Sequence, residues 1–228
     1  MIEAVVFDLD DTLYDEIDYC RSGLAAVSGY LAERYSLQSE DGIFQALWGQ
    51  FAGGNHSRTF NAALDELGIP YDETAIETLV RVYREHEPPI TLPNESLDVL
   101  KALKGRYSLG LLTDGFLPAQ QLKVRALGIE RFFECIVYTE ALGRAFWKPS
   151  PVGFEKIVAA LGVPPDRMVY VGDNEQKDFV APNALGFLTV RVRRARAIHT
   201  KSAVEAPATA KRRIDRLAEL PGLLAGIP

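Results

Sequence analysis

Residues 5–14 read VVFDLDDTLY, an apolar run that passes directly into a group of carboxylates. Ala4–Phe7 show no alternation of polar and apolar side chains, which is typical of a strand buried on both faces of a parallel sheet. Because side chains alternate along a strand, Asp8 and Asp10 should point the same way and Asp11 elsewhere. Paired carboxylates repel each other unless a cation or a shared proton lies between them. The stretch therefore predicts either such a site or a solvated acidic turn that caps a helix.

The composition limits the class of protein and its partners. The chain has 228 residues, of which 47% are hydrophobic and 25% charged, as in one large domain or a core domain with an insert. The net charge of -6 argues against a nucleic acid polymer as partner, because phosphate binding needs a basic surface. Cys20 and Cys135 lie far apart in the sequence, so we interpret them as reduced thiols. With no apolar run of about 18 residues and a first strand at the very start, we expect no membrane span, no signal peptide and a cytoplasmic location.

The segment of residues 15–91 has helical periodicity and no convincing strand. Apolar residues recur there at the spacing of one helix face. Prolines at positions 88, 89 and 93 close the segment. We predict an inserted all-helical domain of about four helices, with helical stretches at residues 24–31, 43–51, 60–67 and 76–83.

The rest of the chain alternates strand and helix patterns. Strands are predicted at residues 109–113, 135–138, 168–171 and 188–192, and helices at 117–127 and from Ser150 and Pro151 to 161. This alternation predicts right-handed crossovers and an α/β fold with a doubly wound, Rossmann-like parallel sheet formed by residues 1–14 and 92–228. Residues 191–216 are rich in Arg, Lys and Ala, which indicates a solvated surface segment or, alternatively, an anion-binding patch. Residues 214–224 should add a last short strand and helix.

Polar residues follow each of the apolar runs, and parallel strands place their carboxyl ends along one edge of a sheet, where ligands bind. Carboxylates without His or Cys indicate a hard cation such as Mg²⁺, and a Lys and a Thr can hold phosphate oxygens. One carboxylate can act as a nucleophile, and a second, two residues on, can serve as general acid and base if its pKa is raised. The residues in question are Asp8, Asp10, Thr113, Asp114, Lys148 and Asp173.

These residues also carry a resemblance to the haloacid dehalogenase-like (HAD) superfamily. The chain resembles that family over essentially its whole length, and the helical insert stands where type C1 cap domains are found. The four motifs occur in the family's order, as Asp8-Leu9-Asp10-Asp11-Thr12, Thr113, Lys148, and Gly172-Asp173 through Asp178.

The resemblance implies a role for each matched residue. Asp8 would be the nucleophile, and Asp10 the general acid and base with its backbone carbonyl on Mg²⁺. Thr113 and Lys148 would bind the transferring phosphoryl group, and Lys148 would also neutralise Asp8. The metal would be held by Asp8, Asp10 and Asp173, with Asp178 acting directly or through water. Asp114 and Gly115 would offer backbone amides to the phosphate.

Three other residues have structural interpretations. We expect Asp11 to bond the backbone and Thr12 to act as a cap. Pro182 follows Asp178 by four residues, so a helix capped at Asp178 would lose its first backbone hydrogen bond unless it started later.

The function implied is Mg²⁺-dependent hydrolysis of a small phosphomonoester, such as a nucleoside monophosphate or a sugar phosphate, through a phospho-aspartyl intermediate. The cap would favour small soluble substrates, and no residue of the sequence selects among them. A phosphomutase of the β-phosphoglucomutase type uses the same core motifs and stays open as the alternative. A haloacid dehalogenase and a non-catalytic phosphate-ligand sensor are less favoured, and the oligomeric state is open.

Overall fold

A computed structural model describes residues 1–35, 39–198 and 208–227 of the chain. They fall into two compact units, one formed by Met1–Ile17 with Ile90–Pro228 and the other by Asp18–Pro89. The first unit contains the sheet and the second is helical. The action of the helical segment as a cap stays a prediction.

The sheet of the first unit is parallel throughout. Its strand order is β3-β2-β1-β4-β5-β6, where β1 is Ala4–Phe7, β2 Ser108–Thr113, β3 Cys135–Tyr138, β4 Met168–Gly172, β5 Leu188–Val192 and β6 Arg212–Ile214. The predicted α/β fold with a doubly wound sheet is confirmed, and the five predicted strands agree with β1 to β5 to within one residue at each end. The last short strand, predicted within residues 214–224, lies earlier in the structure, since β6 overlaps that range only at Ile214.

Strand β1 lies in the middle of the sheet because its side chains are apolar on both faces. Ala4 pairs with Ser108 of β2 on one side and with Met168 of β4 on the other. All four residues of β1 are fully buried. This register brings the residues that follow β1, β2 and β4 to the same edge of the sheet.

Nine α-helices are present in the described part of the chain. Most of them differ in their bounds from the predicted stretches, and two of the differences concern a proline. The helix at 94–103 was not predicted because Pro93 was interpreted as the end of a helical segment, whereas it precedes the first residue of a helix. The helix after Lys148 starts one residue later than predicted, with Pro151 as its N-cap. The helices are α1 Glu16–Arg34, α2 Glu40–Ala52, α3 Thr59–Leu67, α4 Glu73–Glu85, α5 Asn94–Leu103, α6 Ala119–Leu127, α7 Val152–Leu161, α8 Val180–Leu185 and α9 Leu220–Ala225.

Helix α8 begins at Val180, so Pro182 lies in its first turn, where a backbone N–H has no intrahelical partner to lose. The conflict expected between Pro182 and Asp178 therefore does not arise.

No helix in the described ranges is both long and apolar enough to span a bilayer.

The second unit has a hydrophobic core of its own. Helices α1 to α4 contribute its buried side chains, which include Leu24, Val27, Leu31, Ile43, Leu47, Leu64 and Leu79. The residues at helical spacing in the sequence are thus the residues that pack together.

Candidate active site

The ammonium group of Lys148 lies between two carboxylates at the carboxyl edge of the sheet. Its Nζ is 2.7 Å from Oδ1 of Asp8 and 2.8 Å from Oδ1 of Asp178, and it donates to the Tyr170 hydroxyl at 3.1 Å. All of these side chains are buried. Burial raises the pKa of Asp8 to about 6, against the opposing effect of Lys148. Burial alone would lower the pKa of Lys148, but Asp178 and Asp8 raise it well above its usual value.

A third carboxylate belongs to the same cluster. Oxygen atoms of Asp8, Asp173 and Asp178 all lie within 4.8 Å of one another. Oδ2 of Asp173 is buried and has no hydrogen-bond partner among the described residues. Burial, followed by repulsion from Asp178 and Asp8, raises the pKa of Asp173 to about 9. Three buried carboxylates, one of them with an unsatisfied oxygen, are a donor set that fits a hard divalent cation such as Mg²⁺.

The carboxylate of Asp10 lies outside this cluster and is held by three other side chains. It accepts hydrogen bonds from the Tyr14 hydroxyl at 2.6 Å, Gln120 Nε2 at 2.8 Å and Lys123 Nζ at 2.8 Å. Burial alone would raise the pKa of Asp10, but Lys123, with Tyr14 and Gln120, lowers it below its usual value. The expected raised pKa of Asp10 is therefore wrong for this structure, because the ammonium of Lys123 stabilises the charged form.

Thr113 ends β2 and is connected to Asp10 through Gln120. The Thr113 hydroxyl oxygen accepts a hydrogen bond of 2.6 Å from Gln120 Nε2, and Thr113 is buried. Gly115 has a φ of 136°, and a Cβ atom there would lie 2.7 Å from Cδ of Gln120. Gly115 therefore allows the backbone to approach this side chain closely.

The carboxylate of Asp114 fixes the segment that carries Lys148. It accepts from the Thr139 hydroxyl at 2.7 Å and, with both oxygens, from the backbone N–H of Lys148 at 3.2 Å. The end of β2 is thereby connected to the segment between β3 and α7. The binding of phosphate by the backbone amides of Asp114 and Gly115 stays a prediction.

The structure gives different answers to the predictions for the two residues that follow Asp10. Asp11 has a φ of 51°, and its carboxylate accepts from the backbone N–H groups of Glu16 at 2.9 Å and Ile198 at 2.7 Å. Its predicted backbone-bonding role is confirmed. The predicted capping role of Thr12 is wrong, because its buried hydroxyl has no hydrogen-bond partner within the described ranges.

A buried ion pair supports the backbone of Asp173. Arg191 of β5 donates to the carbonyl oxygen of Asp173 at 3.1 Å and to Glu175 at 2.8 Å. Glu175 is fully buried and also pairs with Arg213 at 3.0 Å. The prediction of a solvated segment from residue 191 onward is wrong for Arg191, since a charge inside a buried strand must be paired. Residues 199–207 of that segment lie outside the described residues.

Comparison with known proteins identifies the family. A family model described as haloacid dehalogenase-like hydrolase matches residues 2–186. The chain belongs to this family. The predicted family and the prediction that the protein is a hydrolase are thus confirmed, while the C1 type of the cap stays a prediction.

Relatives of this HAD-like hydrolase include named phosphatases. It is 32% identical to glyceraldehyde 3-phosphate phosphatase of Methanopyrus kandleri over 209 residues, which cover 86% of each chain. It is 27% identical to phosphoserine phosphatase of Thermus thermophilus over 226 residues, covering 85% of this chain and 89% of the relative. The HAD-hydrolase YfnB of Bacillus subtilis, solved with magnesium, has the same fold, with a TM-score of 0.70, 22% identity and 99% of each chain covered.

Sequence reasoning missed several residues that contact the predicted site residues. Gln120 and Lys123 are polar, yet they lie on the buried side of α6 together with Val124 and Leu127. Polar residues within the apolar face of a helix need buried partners, and this signal could have indicated them. Arg191 gives the same kind of signal, because it is a charged residue within the buried strand β5.

The hydrolase offers a matched test of the Arg191–Glu175 pair. Arg191→Met is expected to lower the free energy of unfolding by about 3 kcal/mol, because it removes a buried partner from a buried carboxylate. Arg213→Met, which removes a 62% exposed partner of the same Glu175, should cost less than about 1 kcal/mol. Urea denaturation measures both. Equal losses in the two variants would contradict the role of the buried pair.

Proposed function

We propose that this hydrolase is a Mg²⁺-dependent phosphatase that acts on a small phosphomonoester through a phospho-aspartyl intermediate at Asp8. The observation that carries the proposal is the buried ammonium of Lys148 between Asp8 and Asp178, next to the unsatisfied oxygen of Asp173. The ammonium groups of Lys148 and Lys177 together cannot balance three carboxylates and a phosphate dianion, so the arrangement calls for a further cation. The named phosphatases among the relatives support the same reaction.

The carboxylates of Asp8, Asp173 and Asp178 would hold the metal, with the backbone carbonyl of Asp10 as implied by the family resemblance. Bound Mg²⁺ would offset the negative charge of the carboxylates and the phosphate, which otherwise repel each other. This places Asp178 among the proposed ligands.

The chain's own residues account for the two chemical steps. A carboxylate oxygen of Asp8 attacks phosphorus, the bond to the substrate oxygen breaks, and that oxygen takes a proton from Asp10. Asp10 is ionised without substrate, so it would take up this proton when the negatively charged phosphate binds. Asp10 then accepts a proton from water, whose oxygen attacks phosphorus and releases phosphate and the Asp8 carboxylate. Thr113 and Lys148 would hold the phosphoryl oxygens during both steps, and Lys148 would keep Asp8 ionised.

The helical segment would act as a cap that determines which substrate the enzyme accepts. We propose that its closure excludes water while the phosphoryl group is transferred to Asp8. A three-carbon phosphate, phosphoserine, a nucleoside monophosphate and a sugar phosphate are the substrates to compare, because the relatives' names and the family resemblance cover them.

Phosphate release from these four compounds tests the proposal. We expect release from at least one of them in the presence of Mg²⁺, its loss in EDTA, and its return when excess Mg²⁺ is added. Activity that persists in full in EDTA would contradict a metal-dependent reaction. Isomerisation of the sugar phosphate without phosphate release would favour the phosphomutase instead.

A further inference from the structure

Two side chains of helix α6 hold the carboxylate of Asp10 from one side. Gln120 Nε2 and Lys123 Nζ are each 2.8 Å from an oxygen of Asp10, and they contact different oxygens. Gln120 is 1% exposed and Lys123 is 3% exposed. Lys123 is also 3.6 Å from the carboxylate of Glu16. A buried Lys costs free energy unless it is paired, so these contacts account for its position.

Gln120 connects Asp10 to a second residue of the proposed mechanism. Its Nε2 atom is 2.8 Å from Oδ2 of Asp10 and 2.6 Å from the hydroxyl oxygen of Thr113. The amide presents its NH₂ group to both residues, with one N–H directed at Asp10 and the other at Thr113. The hydroxyl oxygen of Thr113 thus acts as an acceptor here, and its O–H donates to the carbonyl oxygen of Asp114 at 3.4 Å, a long contact that a phosphoryl oxygen could replace.

The side chain of Gln120 is fixed by its surroundings. The Cβ that Gly115 lacks would lie 2.7 Å from Cδ and 2.8 Å from Cγ of Gln120. The side chain therefore occupies the space that a larger residue at position 115 would need. The Gln120 side chain therefore has little freedom to move, and its amide makes both hydrogen bonds from a fixed position.

We infer that Gln120 and Lys123 are positioning residues that orient the carboxylate of Asp10 for proton transfer, and that Gln120 also directs the Thr113 hydroxyl toward the phosphoryl oxygens. The inference rests on the proposed phosphatase function. Neither residue touches the substrate in this scheme. Their effect reaches the reaction through Asp10 and Thr113.

The dependence of the rate on the leaving group tests this role. Proton donation matters most when the leaving oxygen is strongly basic, as in phenyl phosphate, and least for p-nitrophenyl phosphate, which has nearly the same shape. Gln120→Met and Lys123→Met are expected to lower kcat/KM for phenyl phosphate by about 100-fold, and for p-nitrophenyl phosphate by about 10-fold or less. Asp10→Asn should show the same difference between the two substrates.

Two exposed residues of the same helix give matched controls. On the solvent side of α6, Gln121→Met repeats the substitution of Gln120 and Arg125→Met likewise replaces a cationic side chain by Met, so both should leave the two values of kcat/KM unchanged. Lys123→Arg, which keeps the charge, should recover part of the loss caused by Lys123→Met. If Lys123→Met does not fold, Gln120→Met provides the comparison without changing any charge.

The outcomes separate this inference from the proposed function. A loss of equal size for the two substrates, or no loss, overturns the positioning role while the wild type still releases phosphate. A wild type that hydrolyses neither aryl phosphate nor any compound of the four-substrate panel overturns the proposed function, and the inference with it.

Discussion

Asp8→Asn is expected to abolish phosphate release, with a loss of at least about 10⁴-fold in kcat, because an amide cannot serve as the nucleophile that forms the acyl phosphate. The variant should still fold. Asn has the shape of Asp, and Lys148 keeps its contact with Asp178 at 2.8 Å. Removal of one negative charge also reduces the repulsion that raises the pKa of Asp173. Phosphate release in Mg²⁺ with the best substrate of the panel is the measurement, with circular dichroism as the check on folding.

Asp11→Asn provides the matched control for that variant. It makes the same chemical change three residues further on, at a carboxylate that accepts from two backbone N–H groups rather than facing Lys148. We expect the activity of Asp11→Asn to stay within about 10-fold of wild type, since a catalytic loss of several orders of magnitude requires the loss of a reacting group. An Asp8→Asn enzyme as active as the Asp11→Asn enzyme would rule out the aspartyl-phosphate mechanism.

Lys148→Met is expected to remove activity and to lower the free energy of unfolding by about 3–5 kcal/mol. The ammonium is 1% exposed and is shared by Asp8 and Asp178, so its removal leaves two buried carboxylates close together without that compensating charge. Repulsion between them should raise the pKa of both groups and favour the unfolded chain. Urea denaturation and phosphate release measure the two effects.

Two further variants sharpen this second test. Lys177→Met removes a more exposed ammonium, 3.9 Å from Asp114, which stabilises the charged forms of Asp8 and Asp178 less than Lys148 does, and should cost less than Lys148→Met. Adding Asp178→Asn to Lys148→Met should restore part of the stability, because one uncompensated charge is removed, but none of the activity. A stability loss in Lys148→Met no larger than that in Lys177→Met would show that the buried charges are not coupled as the distances indicate.

The sheet and much of the site could be predicted from the sequence because both depend on simple rules. Buried parallel strands have continuous apolar runs, and their carboxyl ends share one edge, so Asp8, Lys148 and Asp173 could be expected to meet before any distance was known. The structure brings these three together, with Asp178 as a further member.

The surroundings of Asp10 could not be predicted by these rules. Gln120 and Lys123 reach it from 110 and 113 residues further along the chain, and no local pattern specifies such a contact. Since the direction of a pKa shift depends on which charge lies nearest, the prediction for Asp10 was wrong without Lys123. Helix α5 was missed for a different reason, because a proline is found at both ends of helices and Pro93 precedes one.

The central position of β1 has a consequence for the order in which the protein forms during synthesis. Its two neighbours, β2 and β4, begin at Ser108 and Met168, so β1 pairs with segments that are translated much later than itself. Contacts of such high sequence separation form slowly, whereas the helices of residues 18–89 contact each other locally. A nascent chain whose synthesis has not passed Gly172, the end of β4, therefore holds Asp8 on a strand that lacks one of its partners. Asp8, the proposed nucleophile, is thus translated well before Lys148, Asp173 and Asp178, which complete its surroundings.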